Sequence, residues 1–358
     1  MRYYSLLNRW ITLKYNVIEY FNKSNSKKKH KFLRKKSAKT LKRIDKTPLT
    51  EDLNEIRLFT NLRNESLRLP HFLQYYKKMG VNRFFFIDNN STDNSSEIIL
   101  QYDNVHLFST TDNFSNHHFW IEHLLEAYGK NHWCMVVDID ELFSYPNQEI
   151  LKLPQLIEYF EEKKFTSISS LLLDMYDSKE LSKVDYIQGQ NPFEHLRFFD
   201  KDYYKSNFHF WDWKNMKPII TNAYTGGMRE RVFGSTEHPL DVLIKTSLFK
   251  YEKDVYLVDG MHAISNTTPS DIEGIVFHTK FLQDFISEVQ EEAVREQHYD
   301  NASRYKHYNR KIHNNLSLYC PEKSVKYESL EQLIDLGLMK TSEIFELFTS
   351  KYLIRYNK

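Results

Sequence analysis

Two acidic residues that follow an apolar run are the clearest chemical signal in the sequence. Residues 133–137 (WCMVV) predict a strand buried on both faces, and Asp138-Ile139-Asp140-Glu141 comes directly after it. On an extended backbone Asp138 and Asp140 point to the same side, where carboxylates about 4–5 Å apart repel each other by roughly 3–4 kcal/mol at an effective dielectric constant of about 20. A divalent cation removes that repulsion, and oxygen ligands favour Mg²⁺ or Mn²⁺, so the pattern predicts a metal site that also holds phosphate oxygens. The alternative is that these acids only cap the next element.

Polar side chains also follow two predicted strands further upstream. Asn64-Glu65 comes after the first strand, and the run 88–93 (DNNSTD) comes after the second. Carboxylate, amide and hydroxyl groups at strand ends can hydrogen-bond to the imide edge of a uracil and to ribose hydroxyls. The same residue types are favoured in ordinary turns, so each loop taken singly fits both interpretations.

The elements that carry these loops alternate between strand and helix. The predicted order is strand 55–62, helix 68–79, strand 83–87, a helix through 98–99, strand 105–109, helix 116–128 and strand 133–137. Strands and helices at this spacing are typical of a parallel sheet covered by helices, in which ligands lie beyond the carboxyl ends of the strands. The predicted fold class is therefore α/β, with a mostly parallel central sheet and helical extensions at both ends of the chain.

The order of these motifs resembles the family 2-like glycosyltransferases, which have the GT-A fold and often serve bacterial surface polysaccharide synthesis. The resemblance covers roughly residues 54–310. The matching segments are Arg63-Asn64-Glu65, 85–93 (FFIDNNSTD), 136–141 (VVDIDE), 226–234 (GGMRERVFG), 259–262 (DGMH) and 277–281 (FHTKF). What the resemblance implies is a nucleotide-sugar donor, with UDP as the expected nucleotide, a glycan or lipid-linked acceptor, and a divalent Mn²⁺ or Mg²⁺ ion.

The resemblance also implies roles for individual residues. It matches Glu65, Asp88 and Asp93 to positions near the nucleoside, with Asn64 and Asn90 in the same two loops. It places Asp138 at the ribose or sugar and beside the metal, with Asp140 as the direct metal ligand and a late histidine, His278, as the first candidate for a further ligand. His262 is the second candidate. Lys280 and Arg229 could neutralise the leaving diphosphate, or form surface ion pairs of little energetic value.

Sugar transfer with inversion requires a general base that takes the proton of the acceptor hydroxyl. The Glu-Asp pair that the family pattern places after the glycines is absent from this sequence. Three other acids are candidates, namely Asp174 at the end of a predicted strand at 167–173, Asp259 just before His262, and Glu230. Whether the reaction inverts the anomeric centre stays open at this point.

The charges divide the chain into unlike parts. Residues 1–50 carry 15 Lys/Arg and two acids, a net charge of +13, and the other 308 residues carry a net charge of −12. A predicted amphipathic helix at 3–21, followed by basic residues at 27–36, suits the anionic surface of a bilayer, which residues 1–46 would contact. The alternative is a helix docked on the body. Nucleic acid is not an expected partner, because no base-reading motif accompanies the charge.

Length and cysteine content limit the class of protein. The chain has 358 residues and two cysteines, which excludes a disulfide scaffold and favours a reducing compartment. It contains no run of 18 apolar residues, so we expect a cytoplasmic protein that lies peripherally on the inner face of the membrane. The expected division is a basic arm at 1–50, a glycosyltransferase domain at 51–310 and a helical extension at 311–358.

Two other classes of protein could carry the same acidic motif. Phosphohydrolases of the haloacid dehalogenase type also place two spaced aspartates after an apolar strand, but on the first strand of the domain and with Thr or Val four residues after the first aspartate. Here Leu142 stands at that position, and three strand–helix units come first. An assembly protein that keeps the fold without turnover is the second alternative, against which the intact acids argue.

Overall fold

A computed structural model describes residues 32–212, 217–234, 242–258, 261–313 and 315–356. The strands are β1 (Lys42–Arg43), β2 (Arg57–Leu62), β3 (Arg83–Asp88), β4 (Val105–Ser109), β5 (Trp133–Val136), β6 (Glu141–Ser144), β7 (Ser167–Asp174), β8 (Phe198–Asp200), β9 (Tyr203–Asp212), β10 (Lys217–Gly226), β11 (Ile244–Lys250), β12 (Leu257–Val258), β13 (Ala263–Ile264), β14 (Gly274–His278) and β15 (Ser324–Lys326). The α-helices with defined bounds are α1 (Leu69–Met79), α2 (Ser95–Ile99), α3 (His117–Leu124), α4 (Leu153–Lys163), α5 (Gly227–Phe233), α6 (Phe285–Arg295), α7 (Tyr299–Lys311), α8 (Leu330–Asp335) and α9 (Glu343–Tyr356).

The central feature is one mixed sheet. Within the described residues it has nine strands in the order β1-β4-β3-β2-β5-β11-β7-β14-β6. The neighbours β4, β3, β2 and β5 are parallel, as the strand–helix alternation predicts. β7 and β14 run in the same direction, whereas β1, β11 and β6 run against it. Six strands of this sheet therefore share one direction, and β11 enters antiparallel between β5 and β7.

The sheet is buried on both faces because its strands are apolar at successive positions. In β2 and β3 every residue is buried. Phe84 and Phe86 belong to the largest core cluster. Phe85 belongs to a second cluster, where its ring stacks on that of Phe59 at 4.7 Å between centroids. Since successive side chains of a strand point to opposite faces, these two clusters cover the two sides of the sheet.

The helices that cover the sheet begin and end where the sequence indicates. α1 has a proline in its first turn and buries Leu69, Phe72, Leu73 and Tyr76. It ends at Gly80, whose φ of +116° is a left-handed conformation that glycine adopts without strain.

Later segments refine the predicted helices. The helix predicted at 116–128 ends as α3 at Leu124 and continues as one wider turn over Leu125–Gly129. The chain after β14 forms two helices, α6 and α7, and the helices of the predicted C-terminal extension are α8 and α9. β15 pairs with β8, and Phe345 of α9 lies in the largest core cluster, so the C-terminal residues pack on the body of the molecule.

The basic arm is only partly described. The amphipathic helix predicted at 3–21 lies outside the described residues. Residues 32–38 are helical, and β1 pairs with β4. The last residues of the predicted arm therefore belong to the edge of the central sheet. In the part of the chain that the structure covers, no helix combines the length and the apolar character needed to cross a bilayer.

Candidate active site

A cleft of about 440 Å³ lies beyond the carboxyl ends of β2 and β5. It is bounded on its other side by α6 and the start of α7. Six of the residues singled out in the sequence line it, namely Asn64, Glu65, Asp138, Asp140, His278 and Lys280. The cleft therefore lies at the edge of the sheet where ligands of such folds bind.

The two aspartates of the acidic motif both line the cleft, although the chain between them is not extended. It turns at residues 139–140, with the Glu141 amide donating to the Asp138 carbonyl at 3.1 Å, so strand alternation does not apply there. Each carboxylate already has a cation of the protein beside it. Asp140 Oδ2 lies 3.2 Å from His278 Nε2, and Asp138 Oδ2 lies 3.1 Å from Lys245 Nζ.

His278 reaches Asp140 because of the strand order. It ends β14, where the register places it beside Asp174 of β7 and Glu141 of β6. Its Nδ1 lies 2.8 Å from Asp174 Oδ1. A carboxylate on one ring nitrogen fixes the orientation of the ring, and here it directs the other nitrogen toward Asp140.

Asp174 and Arg229 hold His278 in place from outside the cleft. Asp174 is fully buried, and its two oxygens accept hydrogen bonds from Arg229 Nε and Nη2 at 2.7 Å each. Neither residue lines the cleft. Arg229 is therefore placed to hold Asp174, and not to meet a diphosphate as the sequence predicts.

Burial and neighbouring charges shift the pKa values of the central groups. Burial alone raises the pKa of Asp140, but the adjacent His278 outweighs it and holds that pKa well below the usual range. Burial lowers the pKa of His278, and Asp140 and Asp174 reverse this, so that its pKa is raised. Burial raises the pKa of Glu141 to about 7 despite the nearby Lys245.

The cations on the opposite wall are all engaged by carboxylates. Arg68 binds Asp284 through two nitrogens at 2.7 and 2.9 Å. Lys280 Nζ lies 2.7 Å from Glu288 Oε1 and 2.8 Å from the Tyr305 hydroxyl. These contacts join α6 and α7 to the strand side of the cleft. The pair of Arg63 with Glu291 has the same effect, whereas Arg295 pairs with Glu292 within α6 and reaches the strand side through Asn89 Oδ1 at 2.8 Å.

Three predicted nucleoside contacts lie outside the cleft lining. Asp88 accepts hydrogen bonds from the Ser91 amide at 2.8 Å and the Ser96 hydroxyl at 2.6 Å, which shapes its own loop. Asp93 accepts from the amide of Ser66 and so ties this loop to the one after β2. Asn90 is exposed. Other side chains of this loop position Asn64 and Glu65, since Ser91 Oγ accepts from the Asn64 amide and Ser95 Oγ from the Glu65 amide, each at 3.0 Å. Contact of Asp88, Asn90 and Asp93 with a nucleoside stays a prediction.

Three other candidates differ in how the structure places them. Glu230 is half-buried on α5 and does not line the cleft. His262 Nδ1 donates to the Ile244 carbonyl, 3.0 Å away, and burial lowers the pKa of His262 to about 4. Asp259 lies outside the described residues.

Two residues that the sequence analysis did not select contact the site directly. Arg68 lines the cleft at the N-terminus of α1, and Lys245 contacts Asp138 from β11. The signal for Lys245 is a single lysine in the apolar run 242–249 (VLIKTSLF), where a charge needs a partner. The signal for Arg68 is weaker, since an arginine at a helix start is ordinary.

The residues present suit a divalent metal ion that is held jointly with a substrate. Among the described residues, no three His, Cys, Asp or Glu side chains converge as a complete metal cluster. Asp140 and His278 provide an oxygen and a nitrogen side by side at the cleft. Such a pair fits Mn²⁺ or Mg²⁺ with several positions left for phosphate oxygens and water.

The chain has detectable similarity to known proteins over a limited length. No protein-family model matches it. A glycosyltransferase family 92 protein from Ricinus communis is 30% identical over 105 residues, which are 27% of this chain and 18% of that protein. The chain thus spans less than a fifth of that protein's length, and the similarity does not single out the family 2 type.

A solved structure also aligns with the chain. It is that of 4-diphosphocytidyl-2C-methyl-D-erythritol synthase from Anaerococcus prevotii, which is 10% identical over 79% of this chain and 95% of that one. The TM-score is 0.25, which is too low to support a conclusion about the fold or the activity.

Proposed function

We propose that this protein is a metal-dependent glycosyltransferase with a GT-A-type fold. In this proposal it moves a sugar from a nucleotide-sugar donor, with UDP as the expected nucleotide, to a hydroxyl group of a glycan or lipid-linked acceptor. The single observation that carries the proposal is the position of Asp140 beside His278 in a cleft at the carboxyl ends of parallel strands. The partial similarity to a family 92 glycosyltransferase supports the same class.

The charges of the site support a requirement for a divalent ion. The network consists of four carboxylates, two permanent cations and one histidine, which are Asp138, Asp140, Glu141, Asp174, Lys245, Arg229 and His278. With every carboxylate ionised, the net charge is −1 when His278 is protonated and −2 when it is neutral and free to bind a metal ion. A diphosphate would be repelled from this network, and a divalent cation cancels the charge.

The protein's own groups would then bind and orient the donor. Asp174 holds the His278 ring, so that its Nε2 stays directed at the cleft. Lys280 Nζ donates two of its three N–H groups to Glu288 and Tyr305, and the third can donate to a phosphate oxygen. When bound, the metal ion would stabilise the negative charge that develops on the leaving diphosphate.

The same contacts argue against two of the three candidates for the general base. Asp174 is fully buried with both oxygens engaged by Arg229, so we assign it to orienting His278 and not to the acceptor. Glu230 does not line the cleft. Asp259, on the segment just before His262, remains our candidate base. A role in bacterial surface polysaccharide synthesis stays a prediction, since the similar protein is from a plant.

The proposal is tested by replacing Asp140 with Asn. We expect the purified protein to transfer sugar from one of a panel of nucleotide sugars when Mn²⁺ is present, and UDP with Mn²⁺ to raise its melting temperature. Asp140→Asn should abolish both effects, because it removes a charged metal ligand. Asp103→Asn is the matched control, since Asp103 is an exposed aspartate outside the cleft.

Other outcomes would contradict the proposal. Release of phosphate from simple esters without sugar transfer would favour a haloacid dehalogenase-type phosphohydrolase. Nucleotide binding without turnover on any donor and acceptor would favour an assembly protein. Unchanged UDP and Mn²⁺ binding in Asp140→Asn would show that the ion is held elsewhere.

A further inference from the structure

Lys245 is an ammonium group buried inside the site. Its side chain is 4% exposed, and its Nζ lies 3.1 Å from Asp138 Oδ2 and 2.8 Å from Glu141 Oε1. The Glu141 side chain is also buried, at 2% exposure, whereas that of Asp138 is 38% exposed and lines the cleft. The lysine therefore lies beneath the acidic motif, on the side away from the cleft.

The direction of β11 explains how the lysine arrives there. β11 pairs antiparallel with β5 from Lys250 to Leu248, with Leu248 opposite Met135. If this register is continued past the end of β5, Lys245 falls opposite Asp138. On the other side, the register with β7 shifts between Lys245 and Leu248, which marks an irregularity of the strand. Such irregularities re-aim side chains next to functional sites.

A third contact closes the arrangement around Asp138. Glu141 Oε2 accepts a hydrogen bond from the Asp138 amide at 3.0 Å, while Glu141 Oε1 binds Lys245. Glu141 thus holds the backbone amide of Asp138, and Lys245 holds one of its carboxylate oxygens. Its other oxygen, Oδ1, has no hydrogen bond to any residue that the structure describes, and the side chain faces the cleft.

We propose that Lys245 is a positioning residue that acts as a built-in cation at Asp138. It takes the place that a second metal ion would otherwise occupy, so that the site holds one divalent ion, at Asp140 and His278. Asp138 thereby stays free of metal for the ribose or sugar contact that the family resemblance implies. This inference rests on the proposed function, and what it adds is the fixed cation on which that role of Asp138 depends.

The test counts bound metal ions in Lys245→Met, which removes the charge and keeps a long unbranched side chain. We expect one Mn²⁺ per wild-type chain by titration calorimetry, and two in Lys245→Met, because Asp138 and Glu141 then lack a counter-ion. We also expect the Kd for UDP with Mn²⁺ to rise at least tenfold in this variant. Lys250→Met is the matched control, since Lys250 is on the same strand in a partly exposed ion pair with Glu161.

Asp138→Asn provides a second readout that does not depend on how well Lys245→Met folds. The Kd of Mn²⁺ alone should change less than threefold, while the Kd of a UDP-sugar in saturating Mn²⁺ rises at least tenfold. Asp140→Asn should instead lose Mn²⁺ binding. A merely structural role for Lys245 would not change the number of bound ions.

Each result bears on a different statement. One Mn²⁺ in Lys245→Met, or loss of Mn²⁺ binding in Asp138→Asn, would overturn the inference and leave the proposed function intact. A wild-type protein that binds neither Mn²⁺ nor any nucleotide would contradict the proposed function itself, and the inference with it.

Discussion

At the scale of the residue, the site is a set of carboxylates that are each matched to one particular cation. Asp140 faces His278, Asp138 faces Lys245, and Asp174 faces Arg229. A buried charge is costly unless it is paired and hydrogen-bonded. The two-aspartate motif is therefore not a bare pair of repelling charges, since the protein supplies part of the neutralising charge itself.

Asp174 should influence the metal ion without touching it. We expect Asp174→Asn to weaken Mn²⁺ binding by about 10–100-fold, because His278 loses the carboxylate that orients its ring. We also expect a loss of about 3–5 kcal/mol in unfolding free energy, since Arg229 would remain buried without a charged partner. Titration calorimetry and urea denaturation measure the two effects.

Asp200→Asn is the matched control for this prediction. Asp200 is buried and accepts hydrogen bonds from two nitrogens of Arg231 at 2.7 and 2.9 Å. Arg231 lies on α5, as Arg229 does, but Asp200 is not among the residues that line the cleft. It should lower stability and leave Mn²⁺ affinity unchanged. Equal losses of Mn²⁺ affinity in the two variants would contradict an orienting role for Asp174.

At the scale of the element, strand ends and helix ends determine where the functional groups lie. β2 and β5 end at the floor of the cleft, and α1 begins beside it with Arg68. α1 is held in place by its other end, where Gly80 packs against α4. A Cβ added to Gly80 would lie 2.9 Å from Pro154 Cδ. The position of the cleft wall thus depends on packing at the far end of the helix.

Gly80→Ala should therefore destabilise the protein more than backbone strain alone explains. The left-handed backbone costs a non-glycine residue about 1–2 kcal/mol, and the contact with Pro154 should add about 1–3 kcal/mol. Gly337→Ala is the control, because Gly337 has a φ of +70° and open space around it. The urea midpoints of the two variants give the losses in unfolding free energy, provided that the dependence of this free energy on urea concentration is unchanged. Equal losses in Gly80→Ala and Gly337→Ala would show that the contact with Pro154 has no energetic cost.

At the scale of the whole molecule, burial and neighbouring charges shift the pKa values of several described histidines in opposite directions. Burial lowers the pKa values of several of them, which are His71, His106, His117, His123, His132 and His262. For His106 and His117 the pKa falls to about 4. The pKa of His278 moves in the opposite direction, because two carboxylates adjoin it. Burial thus favours the neutral form of these six rings, whereas the carboxylates of the site favour the charged form of His278.

Acid should therefore unfold the protein well above the pKa range of its carboxylates. A histidine with a lowered pKa in the folded state contributes stability that is fully present above about pH 6.5 and is lost as the pH falls toward 4, because the unfolded chain then binds more protons. We expect the unfolding free energy to be lower at pH 5 than at pH 7, because these six histidines outweigh Glu141 and His278, whose raised pKa values act in the opposite direction. Urea denaturation at the two pH values checks this, and an unchanged midpoint would contradict it.

The sequence by itself determined the strands that form the floor of the cleft and the residues that follow them. Strand 105–109 is confirmed with its predicted bounds as β4, and the bounds of β2, β3 and β5 differ from the prediction by two residues or fewer. Apolar runs and turn residues are local signals, so a single sequence reveals them. The same locality identified Asp138 and Asp140, because they directly follow such a run.

Only the tertiary structure decided which charges meet. β11 enters antiparallel between β5 and β7, and this brings Lys245 to Asp138 across 107 residues of chain. The tertiary structure also pairs Asp174, a candidate base, with Arg229. It engages Asp88 within its own loop and Asp93 with the Ser66 amide of the loop after β2. Ion pairs of this kind depend on strand order and register, which are set by the packing of the whole sheet. The periodicity of one segment therefore does not predict them.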